Sequence, residues 1–349
     1  MKLEKSKFCF IIIGLITLTI GVFAFYLLPE KYLYDALLIY NDPYNEKGYV
    51  GSYPVSMWFY DFFMLNKLPF PLIAVIQISI IFWLFFKQGI PKNFNKLYFS
   101  NVLIWFSLLA IAAYISIPSK EFINILFAFV VVYFLRKKLK QTKTGIFFVF
   151  LLFFLYGFWF RPYYLLVPII AIASFFISKI KSIHKTTNII ISTILIAVFM
   201  SLSYGLIEGE FMSQSTREAL NEKRLGREDS QTLILSPIKT DSFIGESIGI
   251  IYGYFSVNLP LEGLKFIYKP HVILFVFWQL FLFLLLFVNY SRCLKEKKLN
   301  YRKKIWLFHL LFSYFVVQGI FEPDLGSSVR HKLGMLPLIY EALFYNRIN

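Results

Sequence analysis

Residues 145–178 read GIFFVFLLFFLYGFWFRPYYLLVPIIAIASFFIS and contain a single charged side chain, Arg161. As one α-helix these 34 residues would be about 51 Å long at 1.5 Å per residue, which exceeds a hydrocarbon core about 30 Å thick. Lysine and arginine clusters flank the stretch on both sides, and a single crossing would put one cluster on the wrong side of a membrane. Pro162 also disfavours helix through Arg161. The stretch is therefore predicted to be a helical hairpin that turns at Arg161 and Pro162.

The same composition extends over the whole chain of 349 residues, which is 58% hydrophobic and only 16% charged. Its apolar blocks are continuous rather than alternating, which favours helices over the strands of a membrane barrel. We therefore predict an all-α polytopic membrane helix bundle, a single integral membrane domain over residues 1–349 with about ten transmembrane helices. The first of these is expected to be a retained helix rather than a signal peptide. The predicted helices lie at residues 8–28, 69–86, 98–117, 121–135, 145–160, 162–178, 188–207, 270–290, 305–321 and 333–345.

The basic residues orient these helices. With the N-terminus inside, the inner segments hold 22 of the 36 lysines and arginines but only two acids, Glu4 and Glu296. The positive-inside rule then predicts that both termini are cytoplasmic. Two long segments fall outside, a first outer loop at 29–68 and a large outer loop at 208–269. Because the net charge of +16 is concentrated beside the spans, it gives no reason to expect a nucleic-acid partner.

Charged side chains at the outer helix ends are the first candidates for function, because charge at membrane depth is costly. The planar guanidinium of Arg161 suits a phosphate group, and Tyr163 would line the same pocket. The alternative for Arg161 is an anchor that extends to the interface. Lys120 would bind phosphate with Glu121 orienting it, and the alternative is an ion pair that tops a helix.

The last outer turn, at 322–332, combines Glu322 and Asp324 with Arg330 and His331. The imidazole of His331 would relay a proton, with a solvated loop as the alternative. A metal site is not expected, because one histidine and two carboxylates lack the regular spacing of metal ligands. No nucleotide or redox motif occurs in the sequence, so no cofactor is expected.

The outer loops carry two further sets of candidates. Arg217 and Arg224 are seven residues apart and would share one helix face, from which they would guide an anionic substrate. The first loop has three acids that are candidate bases, Asp35, Asp42 and Asp61. For both sets, ordinary solvated side chains are the alternative.

Four short patterns carry a resemblance to a known family. They are GSYP at 51–54 leading to WFYD at 58–61, PSKEF at 118–122, RPY at 161–163, and EPDLGS at 322–327 continuing to Arg330 and His331. Together with the aromatic multi-span chain and its large late outer loop, they resemble the O-antigen and capsular repeat-unit polymerases, the Wzy type.

The resemblance implies a glycosyltransferase-type polymerase of the bacterial inner membrane. Its substrate would be an oligosaccharide repeat on undecaprenyl pyrophosphate, joined to other repeats at the outer face. Arg161, Lys120 and Arg330 would stabilise the leaving pyrophosphate, and Glu322, Asp324 or His331 would act as base. Membrane lipids, a flippase and a chain-length regulator are the implied partners.

Two other functions stay open. A multi-span lipid-phosphate-sugar glycosyltransferase would use an acid in the first outer loop, where this chain has Asp35, Asp42 and Asp61. A lipid-linked oligosaccharide flippase would be expected to show an internal repeat and charges near the midplane, and the sequence has neither.

Overall fold

A computed structural model of the chain describes residues 4–137, 142–179, 185–226, 232–295 and 301–345. Of the residues that the structure describes, 80% are helical and none forms a strand. An isolated bridge between Leu233 and Asp324 is the extended pairing found among them. The all-α prediction is therefore confirmed.

Within the described residues, five helices are long and apolar enough to cross a membrane by their length and composition. Continuous apolar sequence forms them, and in a lipid environment a helix satisfies its own backbone hydrogen bonds. Their bounds are Lys5–Leu27, Phe70–Gln88, Thr186–Glu208, Pro270–Lys295 and Lys304–Phe321. Shorter apolar helices occupy Phe99–Tyr114, Thr144–Trp159 and Pro162–Ile177.

The chain divides into two units. The first consists of Met1–Lys137, Phe158–Arg161 and Arg330–Asn349. The helices of this unit are α1 (Lys5–Leu27), α2 (Tyr34–Asn41), α3 (Ser52–Phe62), α4 (Phe70–Gln88), α5 (Phe99–Tyr114), α6 (Lys120–Lys137) and α15 (Leu336–Phe344). In this unit α1 packs against α4 and α5, α6 packs against α15, and α3 packs against α2 and α6.

The second unit consists of Lys138–Gly157 and Pro162–Val329. Its central helix is α13 (Tyr301–Phe321), which packs against four other helices of the unit, α8, α9, α11 and α12. The apolar part of α13, Lys304–Phe321, is 89% buried. The helices of this unit are α7 (Thr142–Trp159, whose end belongs to the first unit), α8 (Leu166–Ile177), α9 (Lys185–Glu208), α10 (Ala219–Arg224), α11 (Phe243–Asn258), α12 (Pro270–Lys295), α13 (Tyr301–Phe321) and α14 (Leu325–Gly334, whose end belongs to the first unit).

All ten predicted apolar segments contain helix, and the predicted break at Arg161 is present. Helix α7 ends at Trp159, and a 3₁₀ turn at Pro162–Leu165 precedes α8. The rings of Tyr156 and Tyr164 are 5.2 Å apart, so the end of α7 packs on this turn. The proline thus breaks the helix where the sequence predicted.

Two segments that were predicted to be an outer loop and an outer turn contain more helix than expected. The first loop at 29–68 contains α2 and α3, and the late turn at 322–332 is helical from Leu325. Asp324 caps that helix, because its Oδ1 accepts a hydrogen bond from Ser327 N at 2.7 Å. The helix on which Arg217 and Arg224 were predicted to lie consists of a π-helical turn at Gln214–Glu218 followed by the short α10.

Candidate functional site: a buried charge cluster

The first turn of α6 carries two buried ionised side chains in succession, Lys120 and Glu121. Lys120 is 7% exposed and Glu121 is 1% exposed. Their side chains have different partners, so they do not form the simple ion pair at a helix top that was one reading of the sequence. Both belong to a charge cluster whose members all lie in the first unit: Asp35, Tyr53, Lys120, Glu121, Arg161, Arg330 and His331.

Glu121 forms ion pairs with three basic groups that come from two distant parts of the chain. Arg161 Nη2 donates to Glu121 Oε1 at 2.9 Å. His331 Nε2 lies 3.2 Å from the same oxygen. Arg330 Nε lies 3.9 Å from Glu121 Oε2. A carboxylate with several charge-assisted contacts is held in one orientation, and it orients the groups around it in turn.

Asp35, on α2, is the second acid of the cluster. Its Oδ2 lies 2.9 Å from Arg330 Nη1 and 3.4 Å from Lys120 Nζ. Tyr53 on α3 donates its hydroxyl to Asp35 Oδ1 at 2.6 Å. The Lys120 ammonium also lies 3.5 Å from the centroid of the Tyr53 ring, in the position of a cation–π contact. Arg330 therefore links the two acids, and Tyr53 contacts one acid and one cation.

The cluster has an excess of positive charge. Burial alone would raise the pKa of Asp35, but Lys120, Arg330 and the Tyr53 hydroxyl hold that pKa below its ordinary value. Burial and the adjacent Asp35 carboxylate raise the pKa of Tyr53, so its hydroxyl stays protonated and remains a donor. Among the described members three cations, Lys120, Arg161 and Arg330, thus face two carboxylates, although burial lowers the pKa of Lys120 to about 8. An anionic group is the ligand that this imbalance favours.

Helix α3 is fixed beside the cluster by its backbone and its tyrosines. Gly51 precedes the helix at a φ of 98°, which an L side chain rarely adopts, and its N–H donates to Trp159 O at 3.0 Å. This bond ties the start of α3 to the chain just before Arg161. Tyr60 is fully buried and its hydroxyl accepts from Ser119 N at 2.9 Å, next to Lys120. These contacts therefore bring together three patterns that are far apart in the sequence, at 51–61, 118–122 and 161–163.

The other two acids of the first loop have different surroundings. Asp42 ends α2 in the left-handed region, at a φ of 42°, and accepts a hydrogen bond from Glu46 N at 2.7 Å. Asp61 forms an exposed ion pair with Lys47 at 2.7 Å. Of these three candidate bases, Asp35 is therefore the member of the charge cluster. No sequence signal separates Asp35 from the others, because its partners come from residues 120 and 330.

The family resemblance implied three other bases, Glu322, Asp324 and His331, and the first two of these lie in the second unit. Glu322 is buried, and its Oε1 accepts from Gln318 Nε2 at 3.3 Å. Asp324 pairs with Arg224 at 2.8 Å, besides capping α14. The division between units falls between Val329 and Arg330, so the late turn contributes to both units. His331 is the predicted base that belongs to the charge cluster.

The predicted binding residues Arg217 and Tyr163 also lie in the second unit. Arg217 is fully buried, and it donates to the carbonyls of Gly319 at 2.8 Å and Gly249 at 3.2 Å. It therefore joins α11 to α13 instead of presenting a cation on the loop surface beside Arg224. Tyr163 stacks on Phe321, with ring centroids 5.2 Å apart.

A second set of buried polar contacts lies at the other end of α6. Arg136 contacts Glu341 of α15 through Nε at 2.9 Å and through Nη2 at 2.8 Å, and its Nη1 donates to Gln88 O. Gln88 Nε2 also donates to Glu341 Oε2 at 3.0 Å. One cation here faces one carboxylate. This pair joins α4, α6 and α15 and carries no excess charge.

The described part of the chain is helical. Several of its helices are able to cross a membrane by their length and composition, and it contains a buried charge cluster rich in cations. Among the described residues, no group of three histidine, cysteine or acidic side chains could hold a metal ion. Comparison with protein-family models, with curated proteins and with solved structures found no match to this chain.

Proposed function

We propose that the protein polymerises oligosaccharide repeat units carried on undecaprenyl pyrophosphate, at the outer face of the bacterial inner membrane. The observation that carries this proposal is the charge cluster. The four sequence patterns that resemble the repeat-unit polymerases supply six of its seven members: Tyr53, the pair Lys120 and Glu121, Arg161, and the pair Arg330 and His331.

The proposed reaction moves a growing glycan from its lipid carrier to a new repeat. A sugar hydroxyl attacks the anomeric carbon, the bond from that carbon to the pyrophosphate oxygen breaks, and lipid pyrophosphate leaves. Negative charge grows on the leaving oxygen, and fixed cations in a site shielded from water stabilise it strongly. Arg161, Lys120 and Arg330 supply such cations. Their carboxylate partners hold them in place without cancelling their charge.

In this scheme His331 accepts the proton of the attacking hydroxyl. Its Nε2 lies 3.2 Å from Glu121 Oε1, an arrangement in which a carboxylate selects the tautomer of the imidazole. With Nε2 protonated, Nδ1 is the nitrogen that accepts the proton. Glu121 then stabilises the resulting imidazolium.

The proposed topology has about ten spans, with both termini in the cytoplasm. Helix α6 then begins outside and ends inside, so that its first turn lies on the same side as the loops 29–68 and 208–269. Shorter helices such as Phe99–Tyr114 would complete hairpins whose turns lie below the headgroups. A flippase and a chain-length regulator would be partners of such an enzyme.

One observation favours a second candidate, a multi-span lipid-phosphate-sugar glycosyltransferase. Such an enzyme would use an acid of the first outer loop, and Asp35 is the acid of that loop that joins the charge cluster. In that case Asp35 would be the base, and the product would be a single added sugar rather than a polymer.

Deletion of the protein in its own host separates these candidates. The polymerase proposal expects surface glycan with at most one repeat, while lipid-linked repeats still reach the outer leaflet. An incomplete repeat would instead support the sugar-adding enzyme, and complete repeats confined to the inner leaflet would support a flippase. Unchanged surface glycan of full length would refute the proposal. Plasmid-borne wild-type protein should restore the polymer and serves as the control.

A further inference from the structure

Helix α3 has two faces of different chemistry. One face carries Tyr53 and Tyr60, which bind the charge cluster and the turn before α6. The other carries Trp58 and Phe62, and these two rings continue a row that begins at Tyr49 before the helix and ends at Phe63 after it, with successive centroids 5.6, 5.2 and 5.1 Å apart. Tyr49 is 69% exposed and Phe62 is 63% exposed, whereas Trp58 between them is half-buried. A row of large aromatic rings that is mostly exposed indicates an interaction surface.

The position of α3 in the chain indicates what covers this row. It lies between α1 and α4, two helices that are long and apolar enough to cross a membrane. In the most apolar 18 residues of these helices only 28% and 39%, respectively, are buried. Tyr26 and Leu27, at the end of α1, are exposed as well. Because α1 ends at Leu27 and α4 begins at Phe70, both ends of the segment between them lie at the same membrane surface when both helices cross.

The composition of α3 fits that surface better than a protein partner. Tryptophan and tyrosine are enriched where the hydrocarbon core meets the headgroups, and an amphipathic helix with such a face lies in the plane of the interface. A polar edge completes the pattern, since the exposed ion pair of Asp61 and Lys47 lies beside the aromatic row.

We propose that α3 lies in the membrane interface with this aromatic row in lipid, and that the phosphate headgroup of a membrane lipid reaches the charge cluster from the plane of the bilayer. Lys120 and Arg330, which are next to Tyr53, would be the first cations that such a headgroup meets. This inference names the lipid phosphate as the ligand class, and it holds whether or not the protein polymerises sugars.

The position of α3 is tested with a fluorescent label on single cysteines. Cys9 and Cys293 are replaced by serine, and the label is attached at Phe62→Cys, at Glu46→Cys as a water-exposed control, or at Leu15→Cys as a control within a span. In phosphatidylcholine nanodiscs that hold one copy, shallow nitroxide lipids should quench the Phe62 label more strongly than the Glu46 label. Iodide in the water should show the opposite order.

Two results would overturn the interfacial position. One is equal quenching of the Phe62 and Glu46 labels by iodide, which would place the row in water. The other is protection of the Phe62 label only in nanodiscs that hold two copies, which would make a second protein copy the occupant. Neither result depends on catalytic activity, so neither would bear on the proposed polymerase.

The headgroup is tested with photoreactive lipids. Phosphatidic acid and phosphatidylcholine, each with a diazirine near the glycerol, are compared for cross-linking to residues 49–63. Phosphatidic acid should react more, and Arg330→Gln should reduce that excess about tenfold, as expected for one lost charge-assisted hydrogen bond. Arg136→Gln, at the other end of α6, should leave the excess unchanged. Equal cross-linking by the two lipids, or an excess that Arg330→Gln leaves unchanged, would overturn the lipid phosphate as ligand.

Discussion

Replacement of Arg161 by lysine separates a phosphate-binding arginine from a membrane anchor. Arg161 is 4% exposed, and one of its terminal nitrogens contacts Glu121 at 2.9 Å. Lysine keeps the positive charge but loses the planar fork that holds a carboxylate on one side and a phosphate on the other. If the guanidinium binds the pyrophosphate, one charge-assisted hydrogen bond is lost, which costs about 1.5–3 kcal/mol. Polymer formation should therefore fall by about tenfold or more.

The protein level of the Arg161→Lys variant should stay near wild type. Glu121 keeps His331 at 3.2 Å and Arg330 at 3.9 Å, so its charge is not left uncompensated. Arg161→Ala should abolish polymer formation. It should also lower the thermal unfolding temperature, since removal of one partner from a buried ion pair costs about 3–5 kcal/mol.

Arg136→Lys is the matched control for this substitution. Arg136 is also a cation of the first unit paired with a buried carboxylate, Glu341, at 2.8 Å. The same chemical change there should leave the polymer unaffected. The assay is the ladder of surface polysaccharide lengths in a deletion strain, with membrane protein measured by immunoblot. A full ladder from Arg161→Lys at equal expression would make Arg161 an anchor and remove the main residue-level support for the polymerase.

Three further predictions test topology, electrostatics and packing. A cysteine at exposed Leu235 should react with an impermeant maleimide only from outside, and reaction only from inside would refute the proposed orientation. Because the pKa of Asp35 is lowered, its stabilisation is complete above its unfolded value near pH 4 and is lost only as the pH falls through the folded value. Asp35→Asn should therefore lower the unfolding temperature by a constant margin between about pH 5 and about pH 6.5, below the pKa of about 8 to which burial lowers its partner Lys120, and a margin that vanished within this range would contradict this sign. A Cβ on Gly253 would lie 2.1 Å from Gly319 O, so Gly253→Ala should destabilise by about 1–3 kcal/mol, whereas Gly48→Ala, with ordinary contacts, should not.

The helical segments could be predicted from the sequence because the physical signal is local. A continuous apolar run allows few structures in lipid, and a proline after a charged residue ends a helix whatever its tertiary surroundings. The break at Arg161 illustrates this point. The signal for the start of α14 is local as well. Aspartate is a preferred residue immediately before a helix, and the Asp324 carboxylate accepts a hydrogen bond from the backbone N–H of Ser327, three residues later.

The sequence could not predict in the same way which charged side chains contact one another. Asp35, Asp42 and Asp61 have similar neighbours in sequence, yet one of them binds cations from residues 120 and 330. The burial of Arg217 depends on the carbonyls of Gly249 and Gly319, which are remote in the chain. Contacts of this kind depend on the packing of whole helices, and no periodicity or short motif records them.

The two ends of α6 show why a charge imbalance, rather than burial alone, indicates a binding site. Glu121 and Arg136 are 15 residues apart, or about 22 Å along the helix, and each belongs to a buried ionic group. At the second end the charges of Arg136 and Glu341 balance, and the pair stabilises the packing of α15 on α6. At the first end three cations share two carboxylates, and burial of that excess charge costs free energy unless an anion joins it. An anionic ligand at this end would therefore stabilise the fold as well as bind to it. Soluble pyrophosphate or a lipid phosphate should accordingly raise the unfolding temperature of the wild-type protein, and Arg330→Gln should lose most of that increase. If either ligand raised the unfolding temperature of the wild type and of Arg330→Gln equally, the excess charge of the cluster would not be the source of binding.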